Sequence, residues 1–260
     1  MNILQSLILG VIEGLTEFLP VSSTFHLIFS SQILGLAQTD FTKLYEVFIQ
    51  AGAILAVFFL YLSTYLHDRQ LLKKTLVAFI PTAIVGFLMY KIIKNIFFAS
   101  NTFMLTVFII VGIIFIVYEY ILKKNKTKES RSLQTFSYGE AVFVGFMQAL
   151  AVMPGVSRAG AVILAMMFLK FRRDEAARFS FLLSVPTILA ASGYDLFKMR
   201  KIAFAYGDHM LLLVVGFVAA FISAYFVVKW FISYLQKHSL SAFGWYRIVL
   251  GFLLVIFGPK

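Results

Sequence analysis

Fourteen residues near the N-terminus, EGLTEFLPVSSTFH from Glu13 to His26, gather two carboxylates, three adjacent hydroxyls and an imidazole in an otherwise apolar chain. Glu13 and Glu17 are spaced i,i+4, so on a helix they share one face a turn apart. Pro20 ends that helix and biases Leu19 toward an extended conformation. Ser22, Ser23 and Thr24 then stand where a second helix would begin, and His26 lies three residues past Ser23, one turn along the same face. A hydroxyl one turn from an imidazole has the spacing of a nucleophile and its base. Exposed N–H groups at a helix start bind phosphate oxygens. Two carboxylates on one face suit a hard divalent cation, Mg²⁺ or Ca²⁺, and with no cysteine and no second nearby histidine, zinc is disfavoured. Each group also has a plainer reading: buried acids or a structural ion pair for the glutamates, helix caps for the hydroxyls, a satisfied core histidine for His26.

A second polar group, MPGVSRAGAV, places Ser157 and Arg158 just after Pro154, again at a helix start. A guanidinium at membrane depth calls for a carboxylate or a phosphate, and its planar fork takes either in a bidentate manner. Glu46 and Gln50 share a helical face and are candidates to line a cavity, while Arg178 and Ser184 hold related positions later in the chain. Lys170, Arg172 and Arg173, balanced by Asp174 and Glu175, read as a solvated loop.

The elements that would position these groups follow from composition. Of the 260 residues 61% are hydrophobic and 13% charged, against about a quarter charged in a soluble domain, so an all-α integral membrane protein is expected. The start, MNILQSLILGVIEG, lacks a basic region and a small-residue cleavage site and is read as part of the fold, not a signal peptide. The net charge of +11 sits mostly in short connections between apolar spans, which argues for cytoplasmic loops and against nucleic acid. About six spans are expected, at 47–66, 76–90, 103–122, 179–197, 210–228 and 242–257. Regions 3–36 and 139–169 are apolar but broken by Pro, Gly and polar clusters, and read as two re-entrant helix pairs.

These two broken regions resemble each other. Gly10-Val-Ile-Glu13-Gly-Leu15 parallels Gly145-Phe-Met-Gln148-Ala-Leu150 at an offset of 135, while Pro20/Pro154 and Gln50/Ser184 match at 134. The expected organisation is a first repeat over 1–122, a basic cytoplasmic linker over 123–137 and a second, inverted repeat over 138–260. With the linker inside, 67–75, 170–174 and 229–241 are also inside, and the N-terminus, 91–102, 196–209 and the C-terminus outside. Thirteen Lys and Arg then fall inside and six outside. A pseudo-two-fold axis would bring Pro20 and Pro154 together near the midplane, and Arg158 to the acid, hydroxyl and imidazole cluster.

EGLTEFLPVSSTFH and MPGVSRAGA, with FIQAGAILAV and ARFSFLLSVPTILAA in the same order, resemble the segments of the bacterial undecaprenyl-diphosphatase family, the bacitracin-resistance proteins. The resemblance implies a multi-pass enzyme of the bacterial cytoplasmic (inner) membrane. Such an enzyme removes the terminal phosphate of undecaprenyl diphosphate, recycles the carrier for peptidoglycan, uses a divalent cation and opens to the outer face. It places the family's glutamates on Glu13 and Glu17, its serine nucleophile on Ser23, its histidine on His26 and its arginine on Arg158. Phe25, Ala159 and Val162 depart from the family's commoner Gly, Ser and Thr. On this reading Glu13 and Glu17 hold the cation, and Ser22, Thr24, Ser157, Arg158 and Gln50 contact the substrate. Ser23 attacks with His26 as base, or His26 or a glutamate activates water directly. The rival class is a polyprenyl-phosphate transporter with inverted repeats. An acid-phosphatase-like lipid phosphatase is disfavoured, because His209 follows Asp208 without the spacing that centre needs. Besides substrate and membrane lipid, a homodimer is left open as a partner.

Overall fold

The computed structural model describes the backbone of residues 1–92, 100–126, 129–203 and 207–258, and the side chains of these apart from 90–92, 199–203 and 207–208. Its architecture is all-helical. Helix α1 (Ile3–Thr16) starts on a capping box in which Asn2 and Gln5 satisfy each other's backbone N–H groups. A turn at Pro20 leads to α2 (Ser23–Ile33), then come α3 (Asp40–His67), α4 (Arg69–Ile92) and α5 (Asn101–Lys124). Helix α6 (Tyr138–Ala149) repeats the capping box with Ser137 and Glu140, a single 3₁₀ turn follows, and α7 (Arg158–Phe168), α8 (Arg173–Ala203), α9 (Gly207–Leu235) and α10 (Ser241–Phe257) complete the chain.

Among the described residues five helices, α3, α4, α5, α8 and α9, are long and apolar enough to cross a membrane. The sixth expected span, 242–257, is α10, which at 17 residues falls short of the other five. At 1.5 Å per residue it extends about 26 Å, just under the hydrocarbon thickness. The two broken regions form the helix pairs α1/α2 and α6/α7, each too short to cross. Of the loops expected outside, 91–102 falls largely beyond the described residues, whereas most of 196–209 is helix and not loop, α8 running on to Ala203 and α9 starting at Gly207.

The two pairs share local landmarks. Helices α2 and α7 have 11 residues each and start 135 residues apart, at Ser23 and Arg158. Their N-caps, Ser22 and Ser157, both take positive φ (66° and 76°), and Gly35 and Lys170, two residues past each helix, share φ 68°. Ser23 is therefore the positional counterpart of Arg158, and the offset of 134 read at the prolines reflects turns that differ by one residue.

The pairs are held by partners from the other part of the chain. Helix α1 packs on α9 and α6 packs on α4, while α5 pairs with α10. These contacts need close backbone approach: a Cβ on Gly14 would collide with the Ala220 carbonyl oxygen, and one on Gly145 with that of Ala78. Small residues at crossings let helices meet in this way where lipid offers no hydrophobic drive. Pro186, inside α8, removes the N–H that would bond the Leu182 carbonyl, and Tyr65 Oη donates there instead at 2.7 Å.

The linker is anchored, not loose. Arg131 pairs with Glu140 at 2.6 Å, lies over the Phe171 ring at 4.2 Å and makes a backbone bridge to Phe171. The basic turn at 170–175 is only partly the solvated loop expected from sequence. Arg172 pairs with Asp174 and is half exposed, but Arg173 bridges Glu119 of α5 at 2.7 Å and Glu129 of the linker at 3.1 Å. Burial pushes the Glu129 carboxyl up to about 7, the neighbouring Glu119 charge adding to the shift and Arg173 opposing it. Glu129 thus holds its proton in the folded protein to higher pH than the ordinary 4.5. Its contribution to stability is whole below 4.5 and is lost as pH rises through about 7. Glu129→Gln, neutral at every pH, is expected to flatten the fall in thermal midpoint between about pH 5 and about pH 8. Unfolding scans in detergent at both ends of that range check this, and an unchanged slope refutes it.

Candidate active site between two broken helices

Glu17 stands at the C-cap of α1, and its carboxylate is where the two broken regions meet. From its own side it accepts the Ser23 Oγ hydrogen on Oε2. From the other side Arg158 Nη2 donates to Oε1 at 2.9 Å, across 141 residues of sequence. Arg158 Nη1 donates to the Ser180 carbonyl at 3.0 Å, and its buried Nε–H has no partner. The Glu17 side chain is 7% exposed and that of Arg158 12%, so this is a nearly dry ion pair at the rim of a cavity of about 200 Å³.

The cavity brings together most of the candidates named from sequence: Glu17, Ser22, Ser23, Thr24 and Gln50 on one side, Ser157 and Arg158 on the other. Arg158 was expected to face a carboxylate or a phosphate, and it faces Glu17. Glu13 is fully buried and does not line the cavity, and its carboxyl meets that of Glu17 in a side-chain hydrogen bond. Two carboxylates cannot both stay charged at such a contact, so a proton shared between them or a cation must complete the pair. Hard oxygen donors of this kind fit Mg²⁺ or Ca²⁺, which bind through one or two carboxylates plus substrate phosphate. Among the described residues no group of three or more His, Cys, Asp or Glu offers an all-protein cage.

His26 is placed differently from its expected role. Its Nδ1 meets the Ser22 carbonyl at 2.8 Å and its Nε2 meets Tyr246 Oη of α10 at 2.8 Å, with the two rings stacked. Both nitrogens are occupied, the residue does not line the cavity, and the hydrogen-bond acceptor of Ser23 is Glu17. The i,i+3 spacing put the imidazole on the right face, but Tyr246 from the far end of the chain holds it. The bulk of Phe25 is absorbed by stacking on Phe108 at 3.7 Å. Glu46 lies outside the cavity, accepting from Ser31 at 2.8 Å and Gln38 at 3.3 Å. Arg178 is half exposed beside Glu175, and Ser184 bonds its own helix at Phe181 O.

Sequence reasoning missed Arg247. It is 0% exposed and has no carboxylate within ion-pair distance among the described residues. Instead Nε donates to Phe108 O at 3.0 Å, Nη1 to Pro20 O at 3.1 Å and Nη2 to Gly155 O, with the guanidinium over the Phe108 ring at 4.4 Å. One cation thus ties both helix breaks to α5. A lone arginine in the apolar span 242–257 was the available signal, since charge at that depth requires a reason. Gln148, Thr82 and Thr187, which also line the cavity, were equally unassigned. Arg247→Met keeps the volume but leaves the turn carbonyls of Pro20 and Gly155 without their donor, each worth about 1–3 kcal/mol. A loss of about 3 kcal/mol or more is expected, read as a lower unfolding midpoint in detergent, and an unchanged midpoint would show the clasp to be idle.

The chain is similar to known proteins over nearly its whole length. A family model described as bacitracin resistance protein BacA matches residues 6–253. A protein of Persephonella marina is 46% identical over 258 residues, covering 99% of both chains. One of Aquifex aeolicus is 43% identical over 255 residues, covering 97% of both, and one of Campylobacter fetus 44% identical over 259, covering 99% of both. All three carry the name undecaprenyl-diphosphatase. A helical membrane chain whose two breaks meet at Glu17 and Arg158, matched over nearly its whole length, belongs to the BacA bacitracin-resistance family.

Proposed function

We propose that this protein hydrolyses undecaprenyl diphosphate to undecaprenyl phosphate and inorganic phosphate, in the bacterial cytoplasmic membrane with its site open to the outer face. The observation that carries this reading is the Glu17 carboxylate held between a serine hydroxyl and an arginine in a cavity lined by both helix breaks. The names of the relatives supply the substrate. A duplicated, inverted organisation over 1–122 and 138–260, joined by the linker at 123–137, is supported by the paired landmarks 135 residues apart. In that arrangement each half contributes one broken tip.

Phosphoryl transfer asks of a protein mainly positioning and charge neutralisation. Arg158, with its uncommitted Nε–H, and the backbone N–H groups at the starts of α2 and α7 receive the phosphate oxygens. As phosphate enters, it competes with Glu17 for the guanidinium, which frees Glu17 for proton transfer. Ser23 Oγ attacks the terminal phosphorus while Glu17 takes its proton. The bond to the bridging oxygen breaks with its electron pair on that oxygen, undecaprenyl phosphate departs, and the proton passes to solvent. Water then releases phosphate from Ser23. Glu13 and Glu17 would hold the divalent cation, which supplies further neutralisation of the phosphate oxygens. His26, locked between Ser22 and Tyr246, fixes the start of α2 that presents Ser23.

The test is phosphate release from C55 diphosphate by the purified protein in detergent, with and without chelator. Arg158→Ala and Glu17→Gln should each lower the rate by about 10²-fold or more, with chelator abolishing it. Release by the wild type that survives both substitutions rejects the site. No release at all, with no gradient to drive transport, favours the transporter instead. A near-normal rate in Ser23→Ala would move the attack from the serine to water.

A further inference from the structure

Gln148, in the last turn of α6, is 1% exposed and lines the cavity that holds Glu17, Ser23 and Arg158. Its amide is not free to turn. Nε2 donates to Thr82 Oγ1 of α4 at 2.8 Å and to Thr187 Oγ1 of α8 at 3.1 Å. Each hydroxyl has already committed its proton to a backbone carbonyl, Thr82 to Gly145 O at 3.0 Å and Thr187 to Leu183 O at 2.8 Å. A hydroxyl carries one donor hydrogen, so both threonines can only accept from the amide. Turning the amide over would set three acceptors against one another. The NH₂ is therefore pinned between two helices, and Oε1 is left buried without any partner.

An orphan buried acceptor costs about 1–3 kcal/mol, and one in a site indicates a missing donor. The ionised oxygens of a diphosphate are acceptors and would be repelled by Oε1. Among the protein's own donors, Ser23 is committed to Glu17, and the free Nε–H of Arg158 makes no hydrogen bond to Oε1 and is taken up by phosphate in the proposed reaction. The donor that a phosphate-hydrolysing site must admit in any case is water, and about 200 Å³ accommodates a phosphate with water beside it, each water taking roughly 30 Å³.

We infer that Gln148 is a positioning residue whose Oε1 orients the attacking water, a role that rests on the proposed hydrolysis. In the release step one O–H of the water is donated to Gln148 Oε1. The other proton goes to Glu17 as the water oxygen bonds to phosphorus. The bond from phosphorus to Ser23 Oγ breaks with its electron pair on Oγ, which regains a proton from Glu17. The hydrogen that faced Gln148 stays on the phosphate, which leaves as hydrogen phosphate. Thr82 and Thr187 act by holding the amide.

The experiment compares wild type, Gln148→Leu and the double variant Thr82→Val with Thr187→Val, as full chains in detergent with C55 diphosphate. Gln148→Leu should lower kcat about 10- to 100-fold while KM and the inhibition constant of inorganic phosphate stay within about twofold. Exchange of oxygen-18 between inorganic phosphate and water, which reads the water step alone, should fall by the same factor as kcat. The double variant, in which the amide can turn, should lose less than Gln148→Leu but in the same pattern. A merely structural role moves kcat, KM, phosphate inhibition and the unfolding midpoint together and leaves oxygen exchange per bound phosphate unchanged. That result, or a wild-type kcat in Gln148→Leu, overturns the inference. A wild type that releases no phosphate overturns the underlying hydrolysis as well, so the two failures are told apart.

Discussion

A guanidinium and a carboxylate meeting across two broken helices are the contact on which the rest of this molecule depends. Both side chains are nearly buried, and burying a charge costs several kcal/mol, so losing one partner strands the other. The pair is also incomplete by design of its surroundings. Arg158 retains an unpartnered Nε–H, a donor that an incoming anion would take up. The same contact brings the Ser23 hydroxyl, its acceptor and a cation around one small cavity.

Broken helices leave backbone groups that lipid cannot satisfy, and the chain answers that with side chains from distant elements. Arg247 takes three carbonyls, two of them in the turns at Pro20 and Gly155. Tyr65 takes the carbonyl vacated by Pro186. The N-caps Ser22 and Ser157 hold positive φ values, which for a non-glycine residue are sustained only when the surroundings over-determine them. Ser157 Oγ helps at its own cap by accepting from Gly160 N at 3.2 Å. Rigidity at the tips is thus a product of the whole bundle. It is also what a site built on short half-helices needs if donors are to stay aimed at one phosphorus.

The exchange of partners explains why the tips meet at all. Helix α1 lies on α9 and α6 on α4, with glycines admitting backbone to backbone at Gly14 and Gly145. Each re-entrant pair is therefore cradled by spanning helices far from it in sequence. The stretch between α5 and α6 is fastened by the Arg131 and Arg173 anchors, which do not touch the cavity.

By itself the sequence determined the class of molecule, the helix breaks and the roster of polar groups, because apolar length, proline and hydroxyl runs act locally. It pointed to the meeting of Arg158 with the cluster of Glu13, Glu17, Ser23 and His26, since a charge inside an apolar chain demands a partner and the two broken regions match in sequence. Only the tertiary structure decided the rest. Whether His26 faces Ser23 or Tyr246 depends on where α10 packs, and no spacing within α2 encodes that. Whether Arg247 is a stray charge or the clasp of both turns depends on carbonyls 92 to 227 residues away. The direction of the Gln148 amide is set by two threonine hydroxyls whose protons are already placed, a fact of hydrogen-bond geometry and not of residue order.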